Sequence, residues 1–276
     1  MAPPKQSPIV RFYHPDVKAK DALGRTQEQI LAWPNSQLEN SHNYIQMLFP
    51  LPEGSPFNYA APIIDLETMK AFRSNSELRQ RLRASFERML TFYGFTTSIH
   101  PEPEIEKEED AKQQNHDAGT TEEAPNAAPA TTKTEEGNPE IQVPATATSG
   151  TTTETATTVK PEPSAPKLAH QAFPFGYYVV RGPNFRKASR NWAVRMDHNH
   201  LRITRILRCL RVLGLQKECD AFFAALKRVY DDPSIHIGPR SLEFWTRAVE
   251  RPLYIAPDNE ECDWLRAWEE EQQKAK

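Results

Sequence analysis

The sequence predicts an all-α fold, a single antiparallel helical array of about seven or eight helices that a long acidic linker interrupts. Two observations support this fold class. Apolar residues recur every three or four positions on either side of the linker, and Gly or Pro follows most of these segments. Residues 101–167 contain no Phe, Tyr or Trp, although the rest of the chain holds 13 Phe, 8 Tyr and 5 Trp. The core must therefore come from the two flanking segments.

The linker, residues 100–167, is predicted to be disordered because it lacks the apolar side chains that would offset the entropy cost of folding. It is rich in Thr, Pro and Ala, and it carries 14 acidic and 5 basic side chains, whereas the whole chain has a net charge of −3. A tether with phosphorylation sites and an insertion tolerated in a surface loop both fit this composition. The composition alone favours the insertion.

The flanking segments, residues 11–99 and 168–270, are expected to pack together as one helical domain, with flexible ends at residues 1–10 and 271–276. No stretch has the ~20 consecutive apolar residues of a transmembrane helix. The first residues lack the apolar core of a secretory signal. The three cysteines are too few and too scattered for a disulfide framework, so we expect a reducing compartment, the nucleus or the cytoplasm.

Capping signals place the helices of the first segment. Thr26 and Gln29 form a capping box, in which each side chain satisfies a backbone N–H of the other residue. Gly is typical of the residue that follows a helix, because it adopts positive φ without strain. The predicted helices are 27–33 after Thr26, 43–49 after Ser41, 66–72 after Asp65, and 77–93 between Ser76 and Gly94.

The second segment begins with an aromatic and β-branched stretch, residues 173–180. It is expected to be extended and packed, or to be a strand without an obvious partner. Four helices follow, which gives eight in total. They are predicted from Asp197 or Asn199 to near Leu213, over 216–230, from about Pro239 to Pro252, and after a capping box of Asp258 and Glu261.

The helix over 198–213 carries an arginine stripe. At 100° per residue, Arg205, Arg208 and Arg211 lie on a different side from the aliphatic residues, such as Ile206 and Leu210. Guanidinium groups bind phosphates and carboxylates through paired hydrogen bonds, so these three arginines are a candidate anion-binding face. A solvated face paired with nearby carboxylates is the favoured alternative, because the sequence has no nucleic-acid-binding signature and is far less basic than such domains.

Metal binding and catalysis have little support in the sequence. His198 and His200 lie two residues apart, which places them about 200° apart on a helix and is poor for shared coordination. An N-terminal capping turn is the favoured interpretation of this stretch. The sequence contains no dinucleotide-binding, phosphate-binding or nucleophile-elbow motif. We therefore expect no metal, no cofactor and no enzymatic activity.

Three segments carry a resemblance to a known family. They are residues 40–51, NSHNYIQMLFPL; residues 85–94, SFERMLTFYG; and residues 198–207, HNHLRITRIL. Together they resemble the N-terminal domain of the opioid growth factor receptor family, in content and order, across residues 11–99 and 183–250. The family often has Trp where Met47 stands, and the enkephalin-motif repeats of some members are absent from this sequence.

The resemblance implies a binding protein that resembles receptors for the Met-enkephalin pentapeptide. Such receptors restrain growth and are found in and around the nucleus. They are associated with its membrane but unrelated to the seven-helix opioid receptors. For this chain we expect a nuclear and cytoplasmic, perinuclear protein with peripheral membrane association at most.

A receptor for such a peptide needs an apolar, aromatic-lined pocket with a carboxylate at one end and an arginine at the other. The candidate ligand-binding residues with this chemistry are Glu39, Tyr44, Phe49, Trp192, Arg202 and Arg205. Aromatic residues at helical spacing belong to the core more often than to a pocket. Two other functions stay open: nucleic-acid association through the arginine stripe, and protein scaffolding with the linker as the recruiting element.

Overall fold

The structure is a computed structural model, and it describes residues 6–55, 58, 61–102 and 176–274. The predicted linker lies outside the described residues from position 103 onward. Residues 1–5, 168–175 and 275–276 also lie outside them.

The described residues are mostly helical, as the sequence predicts. They form eleven α-helices, one 3₁₀ turn and a two-stranded sheet. The elements before the linker are α1 (Pro8–Tyr13), α2 (Gln27–Leu31), α3 (Asn35–Asn40), α4 (Ile45–Leu48), α5 (Leu66–Ser74), α6 (Ser76–Tyr93) and β1 (Phe95–Ser98). Those after it are β2 (Tyr178–Arg181), α7 (Phe185–Ala188), the 3₁₀ turn (Ser189–Asn191), α8 (His198–Val212), α9 (Gln216–Tyr230), α10 (Pro239–Glu250) and α11 (Asp263–Lys274).

The additional helices are short. The helices α1, α3 and α7 have four to six residues each, which is too short for an apolar period to repeat and be recognised. The helix α1 begins at Pro8, and Ile9 is buried. The helix α11 likewise continues past residue 270. The predicted domain boundaries are not tested and stay a prediction.

Several predicted caps are confirmed. In α2, the Thr26 hydroxyl accepts a hydrogen bond from the Gln29 N–H, and the Gln29 side chain accepts one from the Thr26 N–H. Asp65 caps α5 by accepting from the Thr68 N–H at 2.7 Å. Asp197, not Asn199, caps α8. These caps depend only on neighbouring residues, which is why the sequence reveals them.

Three predicted caps are wrong. Ser41 follows α3 as its C-cap, and α4 begins at Ile45 without a side-chain cap. Asn75 caps α6, because its side-chain oxygen accepts from two backbone N–H groups of the first turn. Asp258 lies well before α11, which begins at Asp263.

The core joins the segments before and after the linker. Phe86 of α6 packs edge-on against Phe222 of α9, with ring centroids 5.5 Å apart. The Trp192 indole N–H donates to the Tyr93 carbonyl oxygen at 3.0 Å. All four side chains are buried, so each segment needs the other to keep its apolar surface from water.

The strands β1 and β2 pair antiparallel, with Phe95 opposite Arg181 and Ser98 opposite Tyr178. The partner of the predicted extended segment is therefore β1, a strand that the sequence analysis did not predict. Gly94 precedes β1 with φ 89°, and a Cβ there would lie 2.7 Å from the Cα of Phe185. This close approach requires glycine. The linker connects two strands that lie side by side.

Among the described residues, no helix is both long enough and apolar enough to span a membrane.

Candidate ligand-binding site

Arg202 holds the last residue of α3 and the three residues that follow it, a segment called here the loop 40–43. This side chain is 5% exposed, and its guanidinium donates to the carbonyl oxygens of Leu38 at 3.2 Å, Glu39 at 3.1 Å and Ser41 at 2.8 Å. It also donates to His42 Nδ1 at 3.3 Å. Arg202 thus satisfies the carbonyl groups that α3 leaves free at its C-terminus and positions the loop that follows.

The Glu39 carboxylate lies at the edge of this arrangement and is 29% exposed. One oxygen lies 3.2 Å from His198 Nε2, and the other accepts from the Asn199 amide at 3.2 Å. The nearest Arg202 nitrogen is 3.9 Å away. The carboxylate is therefore fixed from one side and open to solvent on the other.

The predicted aromatic ligand residues are in the core. Tyr44, Phe49 and Trp192 are each at most 1% exposed. Tyr44 packs edge-on against Trp33 at 5.8 Å, and burial raises the pKa of its hydroxyl to about 12. These three side chains belong to the hydrophobic core.

The arginines of the α8 stripe form hydrogen bonds with oxygen atoms of the protein itself. Arg205 donates to the Phe49 carbonyl oxygen at 3.1 Å, and Arg211 donates to the carbonyl oxygens of Ala248 and Arg251 at the end of α10. Arg208 is 1% exposed and pairs with the buried Glu53.

The sequence did not predict that these arginines bind backbone carbonyl groups of the protein. Burial lowers the pKa of Arg205 and Arg211, in keeping with guanidiniums withdrawn from water. Segments distant in sequence supply hydrogen-bond acceptors to this side of α8, and anion binding by these arginines stays a prediction. Of the predicted carboxylate pairing, the structure contains Arg208 with Glu53.

The two histidines of α8 point to different partners. His198 lies beside Glu39, whereas His200 is buried and its Nε2–H donates to the Trp192 carbonyl oxygen at 2.7 Å. His200 Nδ1 then accepts from the Ser241 hydroxyl at 2.7 Å, and burial lowers the pKa of the imidazole. No group of three or more His, Cys, Asp or Glu side chains in the described part of the chain could hold a metal ion.

Two clefts of about 610 Å³ each border the loop 40–43. The first, the loop cleft, is lined by Asp21, Ala22, Leu23, Arg25, Asn40, Ser41, His42, Asn43, Gln46, Met47, Asn58, Ala61 and Pro62. The second, the asparagine cleft, is lined by Asn35, Ser36, Glu39, Asn40, Thr91, Phe92, Asn184, Lys187, Ala188 and Asn191.

Glu39 is the predicted ligand residue that lines the asparagine cleft. Sequence analysis missed its other lining residues, among them Asn35, Lys187 and Asn191. They come from three separate stretches of chain, and single asparagines and lysines carry no recognisable spacing. Ligand contact by the six predicted residues stays a prediction, and five of them point into the protein.

Comparison with known proteins addresses the family resemblance. Residues 3–117 match the model of the opioid growth factor receptor conserved region. This part of the chain carries the conserved region of the opioid growth factor receptor family. The match includes the loop 40–43 and ends before α8, so the resemblance seen in residues 183–250 lies outside it.

Curated relatives agree with this family assignment. The opioid growth factor receptor of Rattus norvegicus is 48% identical over 58 residues, which is 21% of this chain and 10% of the relative. The human opioid growth factor receptor is 32% identical over 90 residues, covering 32% of this chain and 13% of the relative. The matched segments thus span only about a tenth of the length of these relatives. No solved structure matches the chain significantly.

Proposed function

We propose that this chain is a non-enzymatic, receptor-like protein that binds a short peptide, and that Met-enkephalin is the first peptide to test. Its relatives are named as opioid growth factor receptors, so a peptide ligand is the function that their name suggests. We extend the proposal to a role in growth restraint in the nucleus and cytoplasm, around the nucleus, with peripheral membrane association at most.

One observation carries the proposal. The loop 40–43, which lies within the family match, is fixed by Arg202 and borders two clefts whose size falls within the ~300–1,000 Å³ range of small-ligand sites. A fixed loop between two clefts supports binding, because little conformational freedom is lost when a ligand arrives.

The experiment is a calorimetric titration of the full chain with Met-enkephalin and with a scrambled pentapeptide of the same composition. We expect saturable binding of Met-enkephalin at micromolar or tighter affinity and no heat from the scrambled peptide. Equal behaviour of the two peptides would contradict the proposal.

We do not extend the proposal to nucleic acid. Arg205, Arg208 and Arg211 already donate to protein oxygen atoms, so using them for phosphate would break those hydrogen bonds. Binding through phosphate contacts would weaken steeply as salt is raised, which a salt series with double-stranded DNA measures directly.

A further inference from the structure

We propose that the asparagine cleft binds a short peptide with both ends free, with Glu39 receiving the terminal ammonium and Lys187 the terminal carboxylate. This inference rests on the proposed peptide-binding function and assigns it a site and a ligand chemistry. It depends on the neutral polar groups, the charges and the fixed geometry of the cleft.

The neutral polar groups of the cleft suit a peptide backbone. Four asparagines line it, Asn35, Asn40, Asn184 and Asn191, together with the hydroxyl-bearing Ser36 and Thr91. Each amide offers two donors and an acceptor oxygen, which matches the alternating N–H and C=O groups of a peptide. Phe92 and Ala188 add apolar surface for a side chain.

The cleft also has one side chain of each charge. Glu39 is partly exposed and is held from behind by His198 and Asn199, so its carboxylate keeps acceptor capacity on the open side. Lys187 lies on α7 and is exposed, and no ion pair involves it among the described residues. An acid and a base in one cleft favour a ligand that carries both charges.

Both charged groups come from anchored elements. Arg202 binds the end of α3, which carries Glu39. Phe185, buried at the start of α7, packs against Phe95 of β1 with ring centroids 5.2 Å apart, and this contact anchors the helix that carries Lys187. The fold therefore fixes the two helices that carry the charges.

The test uses Met-enkephalin in three forms: unmodified, N-acetylated, and amidated at the C-terminus. Each is titrated into the wild-type chain, Glu39→Gln and Lys187→Met. The matched controls are Glu243→Gln, which changes an exposed carboxylate of another cleft, and Lys70→Met, which changes an exposed lysine on α5. Far-ultraviolet circular dichroism verifies that every variant is folded.

We expect Glu39→Gln to weaken binding of the unmodified peptide about tenfold or more, and to leave binding of the acetylated peptide unchanged, since that peptide has no ammonium to lose. Lys187→Met should do the same for the carboxylate and the amidated peptide. The control variants should bind all three forms like the wild type.

The outcomes separate the two proposals. If the wild type binds Met-enkephalin but Glu39→Gln and Lys187→Met weaken all peptide forms alike, or none, the assignment of this cleft is overturned and the peptide-binding function stands. If the wild type binds no form of the peptide, both proposals are overturned. Lys187→Met removes the charge of an exposed side chain, which should leave folding intact. It therefore tests the cleft even if Glu39→Gln is poorly folded.

Discussion

The Arg202 guanidinium donates a 2.8 Å hydrogen bond to the carbonyl oxygen of Ser41, a residue far away in sequence but adjacent in the fold. Arg202 also lies over the Tyr44 ring, with 5.7 Å between its central carbon and the ring centroid. One buried side chain of α8 thus fixes the position of the loop 40–43, which borders both clefts.

The first prediction concerns Arg202. We expect Arg202→Met to lower the free energy of unfolding by about 3 kcal/mol, because each buried acceptor left without its donor costs about 1–3 kcal/mol. Arg202→Lys should recover only part of this loss, since an ammonium group has three donors on one atom and lacks the planar, five-donor fork of a guanidinium. Urea unfolding followed by circular dichroism measures both variants.

Arg186→Met is the matched control, because Arg186 is exposed on α7. We expect it to change the unfolding free energy by no more than about 0.5 kcal/mol. Wild-type stability in Arg202→Met would show that the loop does not depend on this guanidinium.

The second prediction concerns the buried pair of Arg208 and Glu53. Removing one partner leaves the charge of the other buried without its counter-charge. Arg208→Met should therefore destabilise the fold by about 3–5 kcal/mol. Replacing both residues, as in Arg208→Met with Glu53→Met, should cost clearly less than either single change. A double-mutant cycle in urea measures this difference, and strictly additive costs would argue against a coupled pair.

The arginines of α8 show which structural features the sequence predicts and which it does not. Their angular positions on α8 follow from the helical period, but their environment does not. Arg202 and Arg211 end up on the carbonyl groups that finish α3 and α10, and Arg73 does the same at the end of α8. Such contacts join residues far apart in sequence, so no local sequence pattern predicts them. A basic stripe on one helix therefore looked like an exposed surface.

The secondary-structure elements show the same difference between features set by neighbouring residues and features set by distant ones. The helices α6, α8 and α9 are long enough for their apolar period to repeat, and Thr26 and Asp65 cap their helices through neighbouring residues. The pairing of β1 with β2 and the asparagine cleft each bring together separate stretches of chain. Glu39 was predicted because it lies next to the segment 40–51 and supplies a carboxylate for a peptide ammonium, whereas Lys187 had no such signal.

The third prediction concerns residues 103–175. Because β1 and β2 pair directly, replacing these residues with a short Gly/Ser loop should preserve the fold. Glu102, which directly precedes these residues, is also held to the segment that follows them. Its carboxylate binds Arg228 at 2.7 Å and Arg181 at 3.1 Å. We expect the shortened chain to keep the wild-type circular dichroism per helical residue and a melting temperature within a few degrees of the wild type.

The same shortened chain separates two functions. Peptide titration should give the wild-type affinity if the clefts form the binding site. Loss of peptide binding by a folded shortened chain would instead favour the scaffold hypothesis, in which residues 100–167 recruit the partner.

The fourth prediction concerns the pH dependence of stability through His200. Burial lowers its pKa in the folded state below the value of 6.5 that an exposed histidine has. The unfolded chain therefore takes up this proton at a higher pH than the folded chain does. The stability that depends on neutral His200 is complete above about pH 6.5 and is lost as the pH falls from there through the lowered pKa.

Urea unfolding at pH 8, 7, 6 and 5 measures this effect. His200→Gln keeps a donor for the Trp192 carbonyl oxygen but cannot titrate, so its unfolding free energy should be lower at pH 8 and should fall less steeply toward pH 5 than that of the wild type. His236→Gln, at an exposed position, should keep the wild-type slope. If the wild type and His200→Gln lose stability in parallel between pH 7 and 5, the proton taken up on unfolding belongs to another group.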